Sequence, residues 1–225
     1  MKILIFDASS LISLSMNGLL DELRSLKQNF DGKFIIPEEV KIEAIDKPLT
    51  IHRFELEALR LKKLLDDGIL EMPSALKISD SKITERKKYL LELANNMFIS
   101  RGKSVHLIDE GETACLALSK ILNEQKVENV LVIDERTTRL LVEKPENLKD
   151  LMNRKLHTTI KLKNKHFKNF EGMKVIRSIE LIYVAYKKDL IKIKGKKSLE
   201  AHLYALKFKG AAISYDEIKQ ILRMK

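Results

Sequence analysis

A chain of 225 residues with 44% hydrophobic content is long enough for one generous domain, and its single cysteine, Cys115, excludes an internal disulfide and the usual cysteine metal sites. No apolar run approaches the length needed to span a bilayer and no charged-then-apolar leader opens the sequence, so the reading is a cytoplasmic protein without a membrane partner. The net charge of +10 is uneven: residues 1–149 hold 23 Lys/Arg against 25 Asp/Glu, and residues 150–225 hold 19 against 7, which points to a polyanionic partner, nucleic acid before membrane.

In chain order, KILIF (2–6) reads as a buried strand that ends on Asp7, in FDASS. KFIIP (33–37) reads as a second strand, and Pro37 then opens a helix that carries Glu43. Apolar residues Phe54, Leu56, Leu59, Leu61, Leu64 and Leu65 give residues 51–65 a helical stripe, followed by a third strand, GILEM (68–72). Residues 82–99 and 112–122 are helical in period, the latter within LIDEGETACLAL (107–118), where Asp109 and Glu112 form a D-x-x-E capping box. VLVID (130–134) is a fourth strand ending on Asp134. Residues 145–172 have weak periodicity and, between Asp150 and Glu171, six Lys/Arg, two His and no acid. This segment reads as an inserted, basic, mobile excursion. A fifth strand, MKVIR (173–177), precedes helical periods at 178–187, 198–208 and 215–223. Strand–helix alternation predicts an α/β layered fold with a mainly parallel sheet, whose ligands gather beyond the carboxyl ends of the strands.

The acids stand where such a ligand would bind. Asp7 and Asp134 follow strands, while Glu43, Glu110 and Glu112 sit near helix starts. Each has a local explanation as a cap or a solvent-facing residue. As a set, converging carboxylates repel unless a hard divalent cation neutralises them, and an all-oxygen site suits Mg²⁺ or Mn²⁺.

Four pieces resemble, in order, the motifs of the PIN-domain family: DASS at 7–10, Pro-x-x-Val-x-x-Glu at 37–43, Asp-x-Gly-Glu at 109–112 with its Ala/Leu-rich helix, and Ile-Asp-Glu…Arg at 133–139. The stretch from Gly172 to Ser214 resembles the tail of an archaeal and bacterial subgroup with the same acidic motif. With no internal repeat and no low-complexity linker the chain reads as a single domain over 1–225; the resemblance implies an α/β/α sandwich with sheet order 3-2-1-4-5 and matches weakly at a helical insertion of about 50–105 and the basic insertion of about 145–172. It further implies a Mg²⁺- or Mn²⁺-dependent endoribonuclease. Asp7, Glu43, Glu112 and Asp134 match the catalytic metal-ligand acids, with Glu110 as a substitute for Glu112. Ser10 matches a hydroxyl that supports the first aspartate, and Glu135 and Arg139 match accessory positions. Many relatives carry Asp at the third acid, where this chain has Glu112.

Lys161, Lys163, Lys165 and Lys168 read as contacts to RNA phosphates, and His166, Phe167 and Phe170 as either base-stacking or core residues. No histidine pair has metal-ligand spacing, and neither a G-x-G-x-x-G nor a Walker motif is present. FDASS has Ser9 where a D-x-D phosphatase needs a second aspartate, and its serines lack the glycine-flanked elbow of a hydrolase nucleophile. Alternative readings are a catalytically incomplete RNA- or protein-binding module in ribosomal RNA maturation, with a ribosome-maturation partner, and the toxin of a toxin–antitoxin pair, with an antitoxin partner. Homodimerisation stays open.

Overall fold

The computed structural model describes residues 2–224. Its strands are β1 (Lys2–Phe6), β2 (Gly32–Ile35), β3 (Phe98–Ser100), β4 (Lys103–Ser104), β5 (Asn129–Val132), β6 (Lys161–Leu162) and β7 (Val175–Ile176). The first six α-helices are α1 (Ala8–Met16), α2 (Leu20–Gln28), α3 (Glu38–Lys41), α4 (Glu55–Asp66), α5 (Asp80–Asn95) and α6 (Glu110–Glu124). The remaining five are α7 (Arg136–Glu143), α8 (Leu148–Leu156), α9 (Ser178–Lys187), α10 (Ser198–Phe208) and α11 (Tyr215–Arg223).

The chain is an α/β protein around a parallel four-stranded sheet in the order β2-β1-β5-β7. Residues Ile3 to Phe6 of β1 are all buried, because a central parallel strand is covered on both faces and needs an unbroken apolar run. Helix α6 packs against β1, β5 and α5 and is buried at Gly111, Thr113–Ser119, Ile121 and Leu122. Its alanines and Cys115, all fully buried, allow this close packing.

The expected third strand, at 68–72, is reduced to a single parallel bridge between Ile35 and Glu71. Glu71 N–H donates to Phe34 O at 2.8 Å and Ile36 N–H donates to Glu71 O at 3.0 Å. Pro73 starts a 3₁₀ turn two residues later, and without an N–H it cannot extend the ladder. The basic segment 145–172, read from sequence as a mobile excursion, is instead built into the fold. It forms α8, and its β6 pairs with β3 in a second, antiparallel sheet of order β4-β3-β6. The two stretches read as insertions therefore meet each other. Phe98 and Phe167 rings lie 6.4 Å apart, and Phe170 is fully buried, which makes it a core residue rather than a stacking platform. No helix among the described residues is long and apolar enough to cross a membrane.

The β1–β2 pairing rests on Gly32, which is opposite Lys2. A Cβ at Gly32 would lie 2.1 Å from the Lys2 carbonyl oxygen, a clash with backbone that no rotamer relieves. Gly32→Ala is therefore expected to destabilise by about 1–3 kcal/mol, as overpacking does. The check is the urea midpoint at constant m-value, and an unchanged midpoint would contradict the described register.

Candidate functional site

The carboxyl ends of β1 and β5 lie side by side, because their register pairs Phe6 with Val132. Asp7 and Asp134 follow directly. Asp7 N–H donates to Val132 O at 3.0 Å, and the Asp7 side chain caps α1: Oδ2 accepts from Ser9 N at 3.1 Å and from Ser9 Oγ at 2.6 Å. Oδ1 of Asp7 is buried and has no hydrogen-bond partner among the described residues. Ser9 Oγ also accepts from Asp134 N at 3.2 Å, so one hydroxyl ties the two strand ends together. Asp134 is buried, and both of its oxygens accept from Ser178 at the start of α9, Oδ1 from the backbone N–H at 2.8 Å and Oδ2 from the hydroxyl at 2.6 Å.

Glu43 lies in a π-helical turn, Ile42–Asp46, that continues α3 and closes with Lys47 N–H on Ile42 O at 2.9 Å. Such bulges recur at functional sites because they re-aim one side chain without ending the helix. The Glu43 carboxylate approaches the start of α6 so closely that a Cβ at Gly111 would lie 2.7 Å from its Oε2. The glycine of Asp-x-Gly-Glu is thus explained by contact with the second acid. Glu43, Asp109, Glu110 and Gly111 share a cleft of about 510 Å³. At the α6 start Glu112 Oε2 accepts from Asp109 N at 2.9 Å, completing the capping box, while Asp109 Oδ1 meets His106 Nε2 at 2.6 Å.

The four acids interact through Asp7. Burial pushes the Asp7 carboxyl above its ordinary range against the pull of the Ser9 bonds, and Asp134 adds to the rise. Burial and then Asp7 raise Glu43 and also Glu112, the latter to about 8, with Glu135 contributing at Glu112. Asp134 is raised by burial against the opposing bonds from Ser178. Electrostatic reach is wider than coordination distance, and among the described residues no group of three His, Cys, Asp or Glu is gathered closely enough to hold a metal ion. Of the features that fit a cation, the buried, unpartnered Oδ1 of Asp7 is the plainest, since a desolvated carboxylate oxygen without a donor is costly unless a positive charge meets it.

The remaining expected residues fall elsewhere. Glu110 is an ion-pair partner of Lys87, whose ammonium also holds Glu39 at 2.7 Å. Glu110 is therefore engaged with α5, and Glu112 is the α6 acid that senses Asp7. Ser10 donates to the main-chain oxygens of Asp7 at 2.8 Å and Val132 at 3.0 Å, so it is Ser9 that touches the carboxylate. Glu135 caps α7, accepting from Thr138 N at 2.9 Å. Arg139 bonds Ala212 O at 3.3 Å and Glu143 at 3.4 Å. Lys161, Lys163, Lys165 and Lys168 are exposed on β6 and the turn after it. Sequence reading missed Ser9, Ser178 and Lys87. Ser178 had a local signal, a serine opening a helical period directly after a strand, whereas Lys87 had none. Comparison with family models, with curated proteins and with solved structures gave no match.

Raised carboxyls bind protons more tightly in the folded than in the unfolded chain. Their stabilising effect is complete below the ordinary value, 4.5 for Glu112, and is lost as pH rises through the folded values, which for Glu112 is about 8. Glu217, held down at about 2 by Ser214 and Arg177 against burial, is ionised throughout that window and does not tilt it. In EDTA the melting temperature is expected to fall by a few degrees between pH 5 and pH 8. A melting temperature that rises over this range would contradict the described burial of the acids.

Proposed function

We propose that the chain is a PIN-like ribonuclease that hydrolyses RNA phosphodiester bonds with Mg²⁺ or Mn²⁺ held by Asp7, Glu43, Glu112 and Asp134. The observation that carries this reading is the unpartnered, buried oxygen of Asp7 at the end of the central strand, with three other raised carboxyls in its field. The sheet order β2-β1-β5-β7, with Glu71 bridging on the outer side of β2, supports the PIN-like order that the sequence motifs imply. A divalent ion there supplies Lewis acidity and offsets charge that grows on a phosphate. The chain's own residues hold the arrangement. Ser9 fixes Asp7 and the Asp134 backbone, Ser178 fixes the Asp134 carboxylate, and the π turn carries Glu43 to Gly111.

One observation favours a second reading, an RNA- or protein-binding module without catalysis. Both Asp134 oxygens are already occupied by Ser178, and no three carboxylates stand at coordination distance among the described residues. The two readings part on Asp7→Asn. In this variant the Asn oxygen keeps the Ser9 bonds and the amide takes the place of the unpartnered oxygen. Removing a buried charge is expected to raise stability in EDTA at pH 8 by about 0.5–2 kcal/mol. The parent should gain roughly 1.4 kcal/mol at ten times Kd of Mn²⁺, and the variant little. Cleavage of labelled single-stranded RNA should need Mn²⁺ or Mg²⁺ in the parent and vanish in Asp7→Asn. A parent that neither cleaves nor melts higher with Mn²⁺ belongs to the second reading. Asp134→Asn is a poorer probe, because its amide would face the Ser178 donors.

A further inference from the structure

A cleft of about 700 Å³ lies between α7 and the turn that joins α10 to α11. Arg136, Arg139, Lys144, Arg177 and Lys207 line it, with Glu143 and Glu217 as its two acids. Each acid is already matched: Glu143 by Arg139 at 3.4 Å, and Glu217 by Arg177 at 2.9 Å. Three cations are left over. Arg136 and Lys144 are exposed, and their side chains have no ion-pair or hydrogen-bond partner among the described residues. Lys207 donates to Ile213 O and sits 4.3 Å over the Tyr215 ring, contacts that orient its ammonium without neutralising it. Cations of one sign on a concave wall focus the field and favour a polyanion over a single ion.

Two of the residues that line the cleft are chain neighbours of the acid at the end of β5 and of the serine that holds it. Arg136 stands two residues after Asp134, and Arg177 immediately precedes Ser178, whose N–H and hydroxyl hold the Asp134 carboxylate. A strand seated in the cleft would run to the carboxyl ends of β5 and β7. We propose that this cleft binds the phosphodiester backbone of single-stranded RNA through Arg136, Lys144 and Lys207 and leads it to the carboxylates. The proposal rests on the ribonuclease reading for its choice of RNA, and it moves the backbone contacts away from Lys161, Lys163, Lys165 and Lys168. Lys161 lies on β6 of the second sheet and the other three follow it, and that sheet is built on β3 and not on the strands that carry Asp7 and Asp134.

Binding of a short labelled single-stranded RNA is measured by anisotropy in EDTA, so that the result does not depend on any cation at the carboxylates. The parent is compared with Arg136→Gln/Lys144→Gln, two exposed positions whose change leaves the core intact, and with the fourfold Ala variant at Lys161, Lys163, Lys165 and Lys168. The cleft variant is expected to bind about tenfold more weakly, with the slope of log K on log salt shallower by about 1.4 for two lost contacts to a single strand. The fourfold variant should lose less affinity than the cleft variant. The proposal is overturned if the cleft variant binds like the parent, if the fourfold variant accounts for the loss, or if the parent does not bind RNA. A parent that binds through the cleft yet shows no melting response to Mn²⁺ upholds this inference while ending the nuclease reading.

Discussion

The carboxylate of Asp7 is held where water does not reach, and the surrounding fold is organised by how its cost is offset. One oxygen takes two bonds from Ser9, which also accepts from the Asp134 backbone, while Ser178 covers the Asp134 side chain from α9. These few bonds knit the carboxyl ends of β1 and β5 to the starts of α1 and α9. A parallel sheet makes this possible, because all its strands deliver their ends, and the following helices their N-termini, to one edge. Each helix start offers partial positive charge to the acids gathered there. The second Asp7 oxygen receives none of these donors. The sheet topology and the acid group are thus one constraint seen from two sides.

Much of this was legible in the chain. The apolar runs at 2–6 and 130–134 mark strands because buried parallel strands tolerate no polar break, the run at 173–177 yields the half-buried two-residue edge strand β7, and the helical periods at 178–187, 198–208 and 215–223 became α9, α10 and α11. The run at 68–72 has the same chemistry and yields one bridge, since Pro73 removes the donor needed to continue it. Helix α1, ASSLISLSM, has no helical signature in its serines. It forms because Asp7 caps it and because even Ser10, Ser13 and Ser15 are buried by neighbouring elements. The four acids could be named from their places at strand ends and helix starts, which are local facts. Their partners could not. Ser9 reaching Asp134 spans 125 residues and Ser178 reaching Asp134 spans 44, distances over which pattern carries no information.

Charge in the last third shows the same limit. Its excess is large as a count, yet several of its cations are matched by acids: Arg177 by Glu180 and Glu217, Lys192 by Asp21, and Lys155 by Glu135. A formal charge overstates what a partner would meet. Arg136, which belongs to the nominally acidic first part of the chain, gains its importance from the wall it shares with Lys144 and Lys207. Charge that is scattered in sequence becomes a surface only after the helices are placed.

The acid-rich edge is itself divided, and Lys87 does the dividing. Its ammonium is largely buried on α5 and bonded to both Glu39 and Glu110, so it neutralises the carboxylates on that side of α6. Removing Lys87 would leave the half-buried Glu39 beside Glu110 with no cation between them, which is the costly change here. The contact therefore pins the first turn of α6 against α5. Glu110 and Glu112, two residues apart on a helix, face different neighbours. With Glu110 turned to Lys87, Glu112 caps the same helix start and lies in the field of Asp7. Glu39 and Glu110 thus have their cation built into the chain. Asp7, Glu43 and Glu112 have no Lys, Arg or His at ion-pair distance among the described residues. Burial and then mutual repulsion therefore raise these three carboxyls, with Lys47 opposing the rise at Glu43.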